Sequence, residues 1–358
     1  MPSLKEIKGR INSISSTLAI TSAMKMVAAA KLQKAQMAIQ NMLPYERRLH
    51  SMLIDLMGAM NISAAASEDG SVRGSGSAER GFAQSGDRLS LSNRHDLAGM
   101  DGAYSLMAQR EVRKVAIVAF ASNSSLCGAF NSNVIREATA VINEYRASGL
   151  RDSDIVVYSV GRKMAEAMRK LGFPSPADFT KMSDSPSYEA ASALAQELFD
   201  GFVSGRFDKV ELVYNHYKST SSQPTTRQTY LPLSLADATA DIQVGKITDS
   251  ASESDTNRGA ESVGAPVVRQ GSPTTEDLIV EPSKEALIAT LLPKVIRLRI
   301  FTTLLDSAAA EHAARTVAMQ LATDNGNDLL QELTLEYNKG RQQKITSEIL
   351  DLVGGSMQ

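Results

Sequence analysis

Apolar and small residues recur at alternating steps of three and four over residues 4–60 of the chain. This spacing is that of a coiled-coil seam, in which one face of a long helix packs against another helix. The seam consists of Leu4, Ile7, Ile11, Ile14, Leu18, Thr21, Lys25, Ala28, Leu32, Ala35, Ile39, Met42, Leu49, Leu53, Leu56 and Met60. It predicts a helix of roughly 55 residues, about 80 Å long, with a kink or local break at Pro44.

The same steps recur near the other end of the chain. Their members are Leu291, Val295, Leu298, Thr302, Leu305, Ala309, His312, Thr316, Met319, Thr323, Gly326, Leu330, Leu333 and Tyr337. They predict a second helix of about 70 residues, on the order of 105 Å long. We expect it to begin near Ser283, a good N-cap, and to end at Gly354 and Gly355.

Two such helices in one chain can cover their seams by pairing with each other. The predicted fold is therefore α/β: a long antiparallel two-helix coiled coil, formed by segments 1–61 and 283–358, plus a central Rossmann-like α/β domain. Some seam positions are less apolar than leucine or isoleucine and should weaken the pairing, among them Lys25, Thr302, His312, Thr316, Thr323 and Gly326. We expect the coil to depend partly on surrounding protein.

The middle of the chain alternates short apolar runs with helical patterns, as in a small doubly wound domain over residues 112–235. The predicted strands are Val115–Ala121, Ile155–Val160, Val210–Tyr217 and an edge or hairpin strand Thr226–Leu233, and the predicted helices are Ser132–Tyr145, Arg162–Leu171 and Tyr188–Val203. Segments 62–111 and 236–282 are predicted to be a flexible insertion and a linker. Their cores, Ser63–Gly102 and Thr248–Thr275, are rich in Ser, Gly, Asp and Ala and bury too little to offset ordering entropy.

Composition excludes several classes of function. A formal net charge of −2, from 38 Lys and Arg against 40 Asp and Glu, offers no overall field for a polyanion, so we expect no nucleic-acid partner. The single cysteine, Cys127, excludes an intramolecular disulfide and indicates a reducing compartment, and four histidines disfavour a metal site. No run approaches the roughly 18 consecutive apolar residues of a transmembrane helix.

Several stretches of the chain resemble the gamma subunits of F-type ATP synthases. They lie in both long helices, in the loop after the first strand and in a later strand, in the order found in that family. The stretches are LKEIK at 4–8, ITSAMKMVAAAKL at 20–32, SLCGAFN at 125–131, YN at 214–215, EHAAR at 311–315, AM at 318–319, ATDN at 322–325, LT at 333–334, YNK at 337–339, RQ at 341–342 and ITSEI at 345–349. The chain departs from the family at Asn123 and Ser124, where an acidic residue and a glycine are usual.

The resemblance implies a non-catalytic central shaft without a cofactor. One copy would stand in a ring of three alpha and three beta subunits, with the α/β domain on the membrane c-ring beside the epsilon subunit. It would lie at the cytoplasmic face of the bacterial inner membrane, as a peripheral protein held through its partners. The residues that the resemblance assigns to contacts with catalytic subunits are Met24, Lys25, Arg315, Arg341, Gln342, Thr346 and Glu348.

Plainer interpretations of the same residues remain open. Met24 could be ordinary helix packing, Lys25 a solvated charge, and Glu348 half of a surface pair with Lys344. The loop at residues 124–131 lacks both the G-x-G-x-x-G and the G-x-x-x-x-G-K-[ST] spacing, which disfavours a phosphate cradle, and Cys127 fits a packed thiol better than a nucleophile.

Two rival functions use the same architecture. One is a small α/β enzyme with a coiled-coil dimerisation arm, which would need a catalytic cluster in the central domain. His216 is the only histidine between residues 113 and 233 and has no evident nucleophile beside it. The other is a passive coiled-coil tether, which would gain nothing from an interrupted seam.

Overall fold

The computed structural model describes residues 3–59, 106, 110–233, 281 and 284–356. The two predicted loop cores, Ser63–Gly102 and Thr248–Thr275, lie outside these ranges. So do the seam residue Met60 and the expected cap Ser283. Their predictions stay predictions.

The elements follow one another in the order expected from the sequence. In chain order they are α1 (Leu4–Ala59), β1 (Val115–Phe120), α2 (Phe130–Ala147), β2 (Ile155–Val160), α3 (Arg162–Lys170), α4 (Thr180–Asp184), α5 (Tyr188–Val203), β3 (Lys209–Asn215), β4 (Thr225–Leu231) and α6 (Lys284–Ser356). A single 3₁₀ turn, Asp152–Asp154, precedes β2. This turn and the five-residue α4 were not predicted, because neither is long enough to show a period.

The two long helices have 56 and 73 residues, close to the predicted lengths. Helix α1 runs through Pro44 without a break. Helix α6 runs through Gly354 and Gly355 to Ser356, so the predicted end at these glycines was wrong. Glycine permits a left-handed helix stop but does not impose one, which leaves the helix free to continue.

The seam prediction is confirmed along both helices. Every described seam member is buried or half-buried, whereas Ala29 and Ala30, just off the seam, are exposed. The helices are antiparallel: Leu4 lies against Gly340, Leu18 against Gly326, and Leu32 against Ala309 and Ala313 in a small apolar cluster. Residues near the start of α1 therefore meet residues near the end of α6, and this end of the rod is here termed the tip.

The central domain contains one sheet with the strand order β2-β1-β3-β4. Strand β1 pairs parallel with β2 and β3, and β4 pairs antiparallel with β3 at one edge. Along β1 the side chains alternate between two cores. Val115, Ile117 and Ala119 enter one core, and Ala116, Val118 and Phe120 enter the other. A strand with both faces covered reads as a continuous apolar run, which is how β1 was recognised.

Different helices cover the two faces of the sheet. Helices α2 and α3 pack on one face through residues such as Val134, Ile142 and Met164. Helix α5 packs on the other face, together with the end of α1 and the beginning of α6. Their core side chains are Leu194, Leu198 and Phe202 of α5, Leu49, Leu53 and Leu56 of α1, and Ile288, Leu292, Ile296 and Ile300 of α6. The coiled coil is thus rooted in the core of the domain.

One residue of the predicted insertion packs with this core. Leu106 is fully buried, and its carbonyl accepts a hydrogen bond of 2.9 Å from the backbone N–H of Leu233. No described helix is both long and apolar enough to cross a membrane.

Candidate functional site on the coiled coil

Polar seam residues form hydrogen bonds between the two helices instead of simply interrupting the seam. The Lys25 ammonium donates to the Gln320 side-chain oxygen at 2.5 Å, and the Thr323 hydroxyl donates to that of Thr21 at 3.1 Å. A directional bond across a coiled coil holds the register, although it stabilises the pair less than an apolar contact does.

The seam glycines receive leucines from the opposite helix. A Cβ placed on Gly326 would lie 2.6 Å from Leu18 Cδ2, and one on Gly340 would lie 3.2 Å from Leu4 Cδ2. Gly326 was predicted to weaken the coil. The structure shows that it also provides the recess for Leu18, because any side chain at position 326 would occupy the same space, and its effect on the stability of the coil stays a prediction.

Helix α6 continues past the start of α1 as a single helix. Beyond the contact of Gly340 with Leu4, residues 341–356 extend for about 24 Å at 1.5 Å per residue, and residues 341–350 are all exposed. We call residues 341–356 the overhang. Four of the predicted contact residues lie on it: Arg341, Gln342, Thr346 and Glu348.

Local bonds on the overhang are ordinary. The Thr346 hydroxyl donates to the Gln342 carbonyl at 2.9 Å, and Lys344 lies 3.7 Å from Glu348 in the expected i, i+4 pair. At this exposure the pair contributes little to stability. Neither contact shields the side chains of Thr346 and Glu348 from solvent, so another molecule can still reach them.

Large apolar side chains on the overhang are uncovered by the described chain. Ile345, Ile349 and Leu352 follow one another at steps of four and three, which places them on one helical face, and they are 47%, 54% and 74% exposed. Leu350 and Val353 are exposed beside them. Contiguous exposed apolar side chains of this kind mark a surface that binds another protein.

Met24 and Lys25 are adjacent in sequence but face different surroundings. Met24 lines a cleft of about 330 Å³ where α1, α6, α4 and the loop after β1 meet. The cleft is lined by Ala23, Met24, Val27, Ala28, Lys31, Ser124, Ser183, Asp184, Glu311, His312 and Arg315. Lys25 lies in the seam, bound to Gln320. It is therefore not a freely solvated charge.

Arg315 is buried and bonded within its own chain. Only 10% of its side chain is exposed. The guanidinium donates to the Ser125 carbonyl at 2.6 Å, to the Ser124 hydroxyl at 2.8 Å and to Glu311 Oε1 at 2.7 Å. These bonds tie α6 to the loop after β1. The resemblance assigned Arg315 to another subunit, and that assignment stays a prediction.

Burial changes the protonation of two neighbours of Arg315. It raises the pKa of Glu311, although Arg315 opposes this by stabilising the carboxylate. It lowers the pKa of His312 to about 4, with the Lys31 and Arg315 charges acting in the same direction. His312 is therefore neutral at pH 7, and its Nδ1 has no hydrogen-bond partner among the described residues.

The loop after β1 is held open by two residues with positive φ, Leu126 at 66° and Gly128 at 59°. Inside it, Asn131 Nδ2 donates to Cys127 Sγ at 3.2 Å and Asn131 Oδ1 accepts from the Ser122 N–H at 3.0 Å. Cys127 is 1% exposed, which confirms the packed thiol. Within the part of the chain that is described, no three His, Cys, Asp or Glu side chains gather as metal ligands would.

A second set of contacts between α6 and the domain follows β3. The Asp306 carboxylate accepts the Tyr217 N–H at 2.9 Å and lies 2.6 Å from His216 Nδ1. This hydrogen bond raises the pKa of His216. Gln36 of α1 donates to the Tyr217 hydroxyl at 2.6 Å. These contacts could not be predicted from the sequence, because their partners are far apart along the chain.

Comparisons with known proteins agree with this architecture. The profile of a family described as ATP synthase matches residues 3–357. The ATP synthase gamma chain of Phocaeicola vulgatus is 46% identical over 357 residues, covering 100% of both chains. That of Bacteroides thetaiotaomicron is 45% identical with the same coverage, and that of Flavobacterium johnsoniae is 36% identical, covering 99% of this chain and 98% of its own.

Among solved structures, a chain of the Euglena gracilis mitochondrial ATP synthase, solved as OSCP/F1/c-ring in rotational state 3, has a similar fold. The TM-score is 0.52 at 18% sequence identity, and the match covers 99% of this chain and 93% of the other. At this identity the likeness concerns the fold alone.

Proposed function

Because this chain belongs to the ATP synthase gamma chain family, we propose that its coiled coil stands in the central opening of a ring of three alpha and three beta subunits, one copy per complex. Membership of this family establishes the general function of the chain. The chain is the non-catalytic central shaft of an F-type ATP synthase, which carries rotation between the membrane ring and the catalytic head. Through this rotation ATP synthesis or hydrolysis is coupled to proton transport.

The bare overhang is the observation that supports the proposal most. Ile345, Ile349 and Leu352 form an apolar face on a single helix, and nothing in the described chain covers it. A single helix is about 10 Å wide, and a closed collar of larger subunits can surround it on all sides. An apolar collar would remove this face from water and let the shaft turn without directional bonds to break.

Polar contact residues sit beside that apolar face. We assign Arg341, Gln342, Thr346 and Glu348 to contacts with catalytic subunits. Arg341 supplies forked donors and Gln342 an amide, a combination that suits an acidic loop. All four are exposed.

Farther from the tip, Met24 lies in the cleft at the level of Arg315, where we place a moving loop of a catalytic subunit. Lys25 and Arg315 already bind Gln320 and the loop after β1 within the chain. Their contribution to that contact would come from positioning the surface beside Met24.

An asymmetric shaft acts on its neighbours through differential contact. Along its length the rod changes from a single helix at the overhang to two helices, and then to two helices packed on a domain. Neither one helix nor two packed helices have three-fold symmetry in cross-section, so each of three catalytic subunits around the rod meets a different surface at any moment. Moving a site from 1:99 to 99:1 between two states takes about 5.5 kcal/mol of differential interaction, so many modest contacts must add.

The other end of the molecule points away from the overhang. There we place the α/β domain on the membrane c-ring, beside the epsilon subunit, at the cytoplasmic face of a bacterial inner membrane. In this arrangement the chain is attached to the membrane through its partners.

Co-expression with the alpha and beta chains of the same organism tests the proposal. Affinity purification through a tag on the beta chain should recover this chain, alpha and beta at a ratio of 1:3:3 by quantitative mass spectrometry. A chain that purifies without alpha and beta, or that hydrolyses nucleotide by itself, would contradict the assignment and favour the α/β enzyme with a coiled-coil arm.

A further inference from the structure

Helix α6 occupies the place where open parallel sheets hold their ligands. Those sheets bind at the carboxyl ends of the strands, where the strand order reverses, and here that point lies between β1 and β3. Ala310 of α6 packs there against Cys127 and Phe130, and Ala318 is the nearest side chain to Gly128. The crevice of this domain is therefore filled by its own shaft.

Two charged side chains of α6 pin it to the loops on either side of the crevice. Asp306 binds the segment after β3, and Arg315 binds the loop after β1. They are nine residues apart, which at 3.6 residues per turn is two and a half turns, about 14 Å along the axis. The half turn places the two side chains on opposite flanks of the helix, so together they oppose both rotation and sliding of α6 in its groove.

The segment after β3 also reaches the other helix of the coil. Tyr217 offers its N–H to Asp306 of α6 and accepts, through its hydroxyl, a hydrogen bond from Gln36 of α1. Its ring packs against the alanine-lined stretch that includes Ala309 and Ala313. One residue thus links the sheet to both helices.

We infer that Asp306, Tyr217 and Arg315 form the joint that transmits torque between the α/β domain and the coiled coil. The inference rests on the proposed function as a shaft. Contacts between alanines are non-directional and resist twisting weakly, whereas hydrogen bonds weaken steeply when bent. Rotation of the domain is passed to the coil through these directional bonds, in addition to the apolar core shared by α1, α6 and the sheet and to the chain connections. Asp306 and Tyr217 act indirectly, by holding the two long helices in position against the domain.

The joint is tested by the torsional stiffness of the assembled complex. The complex is fixed by its catalytic head, stalled with a non-hydrolysable ATP analogue, and carries a bead on the α/β domain. Angular fluctuation of the bead reports the stiffness between domain and head. In an Asp306→Ala/Tyr217→Phe variant we expect the mean-square angle to rise at least about two-fold, because directional bonds are lost.

Matched variants separate stiffness from stability. Asp152→Ala removes an exposed carboxylate that pairs with Arg146 on the same domain, away from the coil, and should leave the fluctuation unchanged. Asp306→Asn keeps an acceptor for Tyr217 and should restore most of the stiffness. If Asp306→Ala does not assemble, Tyr217→Phe alone removes one oxygen atom, keeps the ring, and should still raise the fluctuation.

An assembled variant with wild-type fluctuation would overturn the joint, as would an equal rise in the Asp152→Ala control. These outcomes are distinct from failure of the proposed function. A wild-type chain that does not join alpha and beta would remove the shaft itself, whereas the joint is judged only on complexes that have formed.

Discussion

Replacing Arg315 by methionine tests how strongly the hydrogen bonds of Arg315 hold α6 against the loop after β1. Methionine has a similar length and no charge. The change leaves the Glu311 carboxylate without its 2.7 Å partner and leaves the Ser125 carbonyl and Ser124 hydroxyl without a donor. Only 10% and 11% of the two charged side chains are exposed, so solvent replaces little of what is lost.

The expected loss follows from this burial. Removing one partner of a buried ion pair costs about 3–5 kcal/mol, because the remaining charge is uncompensated. A second substitution, Glu311→Gln, removes that charge. We expect Arg315→Met/Glu311→Gln to recover part of this loss relative to Arg315→Met, because a neutral unsatisfied group costs about 1–3 kcal/mol and a charged one more.

The loss should also depend on pH. The folded-state pKa of Glu311 is already raised by burial, and removing Arg315 removes a charge that lowers it. The folded state then binds the Glu311 proton more tightly than the unfolded state, so stability rises as pH falls toward the unfolded value near 4.3. The deficit of Arg315→Met should therefore be smaller at pH 5 than at pH 8, and Arg315→Met/Glu311→Gln should lack this difference.

Urea unfolding of the purified chain, followed by circular dichroism at the two pH values, measures these quantities. A deficit below about 1 kcal/mol at pH 8 is the value of an exposed pair and would refute the burial argument. A deficit independent of pH would show that Glu311 does not carry the unpaired charge.

Three further changes test other parts of the structure. Deleting the chain from Lys344 onward should weaken assembly and coupling, measured as ATP-driven proton pumping per ATP hydrolysed, while the domain stays folded; unchanged proton-driven synthesis would count against the overhang. Gly326→Val should destabilise the coil by about 1–3 kcal/mol in thermal unfolding, and Leu18→Ala in the same chain should restore most of this; no rescue would contradict the recess. Gly161→Ala should lower the free energy of unfolding by about 2–4 kcal/mol, because φ is 96° and a Cβ would lie 2.0 Å from the Ala121 carbonyl oxygen. The control is Gly149→Ala, at φ 94° with nothing within 4 Å, which measures the backbone strain alone.

Elements with a clear period were predictable from the sequence. The strand Ile155–Val160 and the helix Tyr188–Val203 were predicted end to end, and both coiled-coil seams were identified member by member. Their signal is local: the strand is a continuous run of mostly apolar residues, and the helices keep a period near three and a half over enough residues to fix the face that is buried.

The polar contacts that hold the two long helices against the domain and against each other could not be predicted in this way. Asp306 reads as one more polar residue on α6, and its partner Tyr217 is 89 residues away. For Lys25 the sequence left a solvated charge and a contact with another subunit open, because Gln320, 295 residues away, could not be paired with it from spacing alone. A polar side chain has no periodic pattern of its own, and its partner emerges only once the elements are packed.

The antiparallel arrangement of the coil also sets an order on biosynthesis. Because α1 is made before α6, the apolar stripe of α1 leaves the ribosome with no complementary helix and stays unpaired until α6 has been made. All four strands of the sheet precede α6 in the chain, so we expect the sheet to form first and Ile288 of α6 to join Leu56 in its core afterwards. Pairing then proceeds from that core outward, and the last contacts to form join the start of α1 to the distant part of α6, at Leu4 and Gly340.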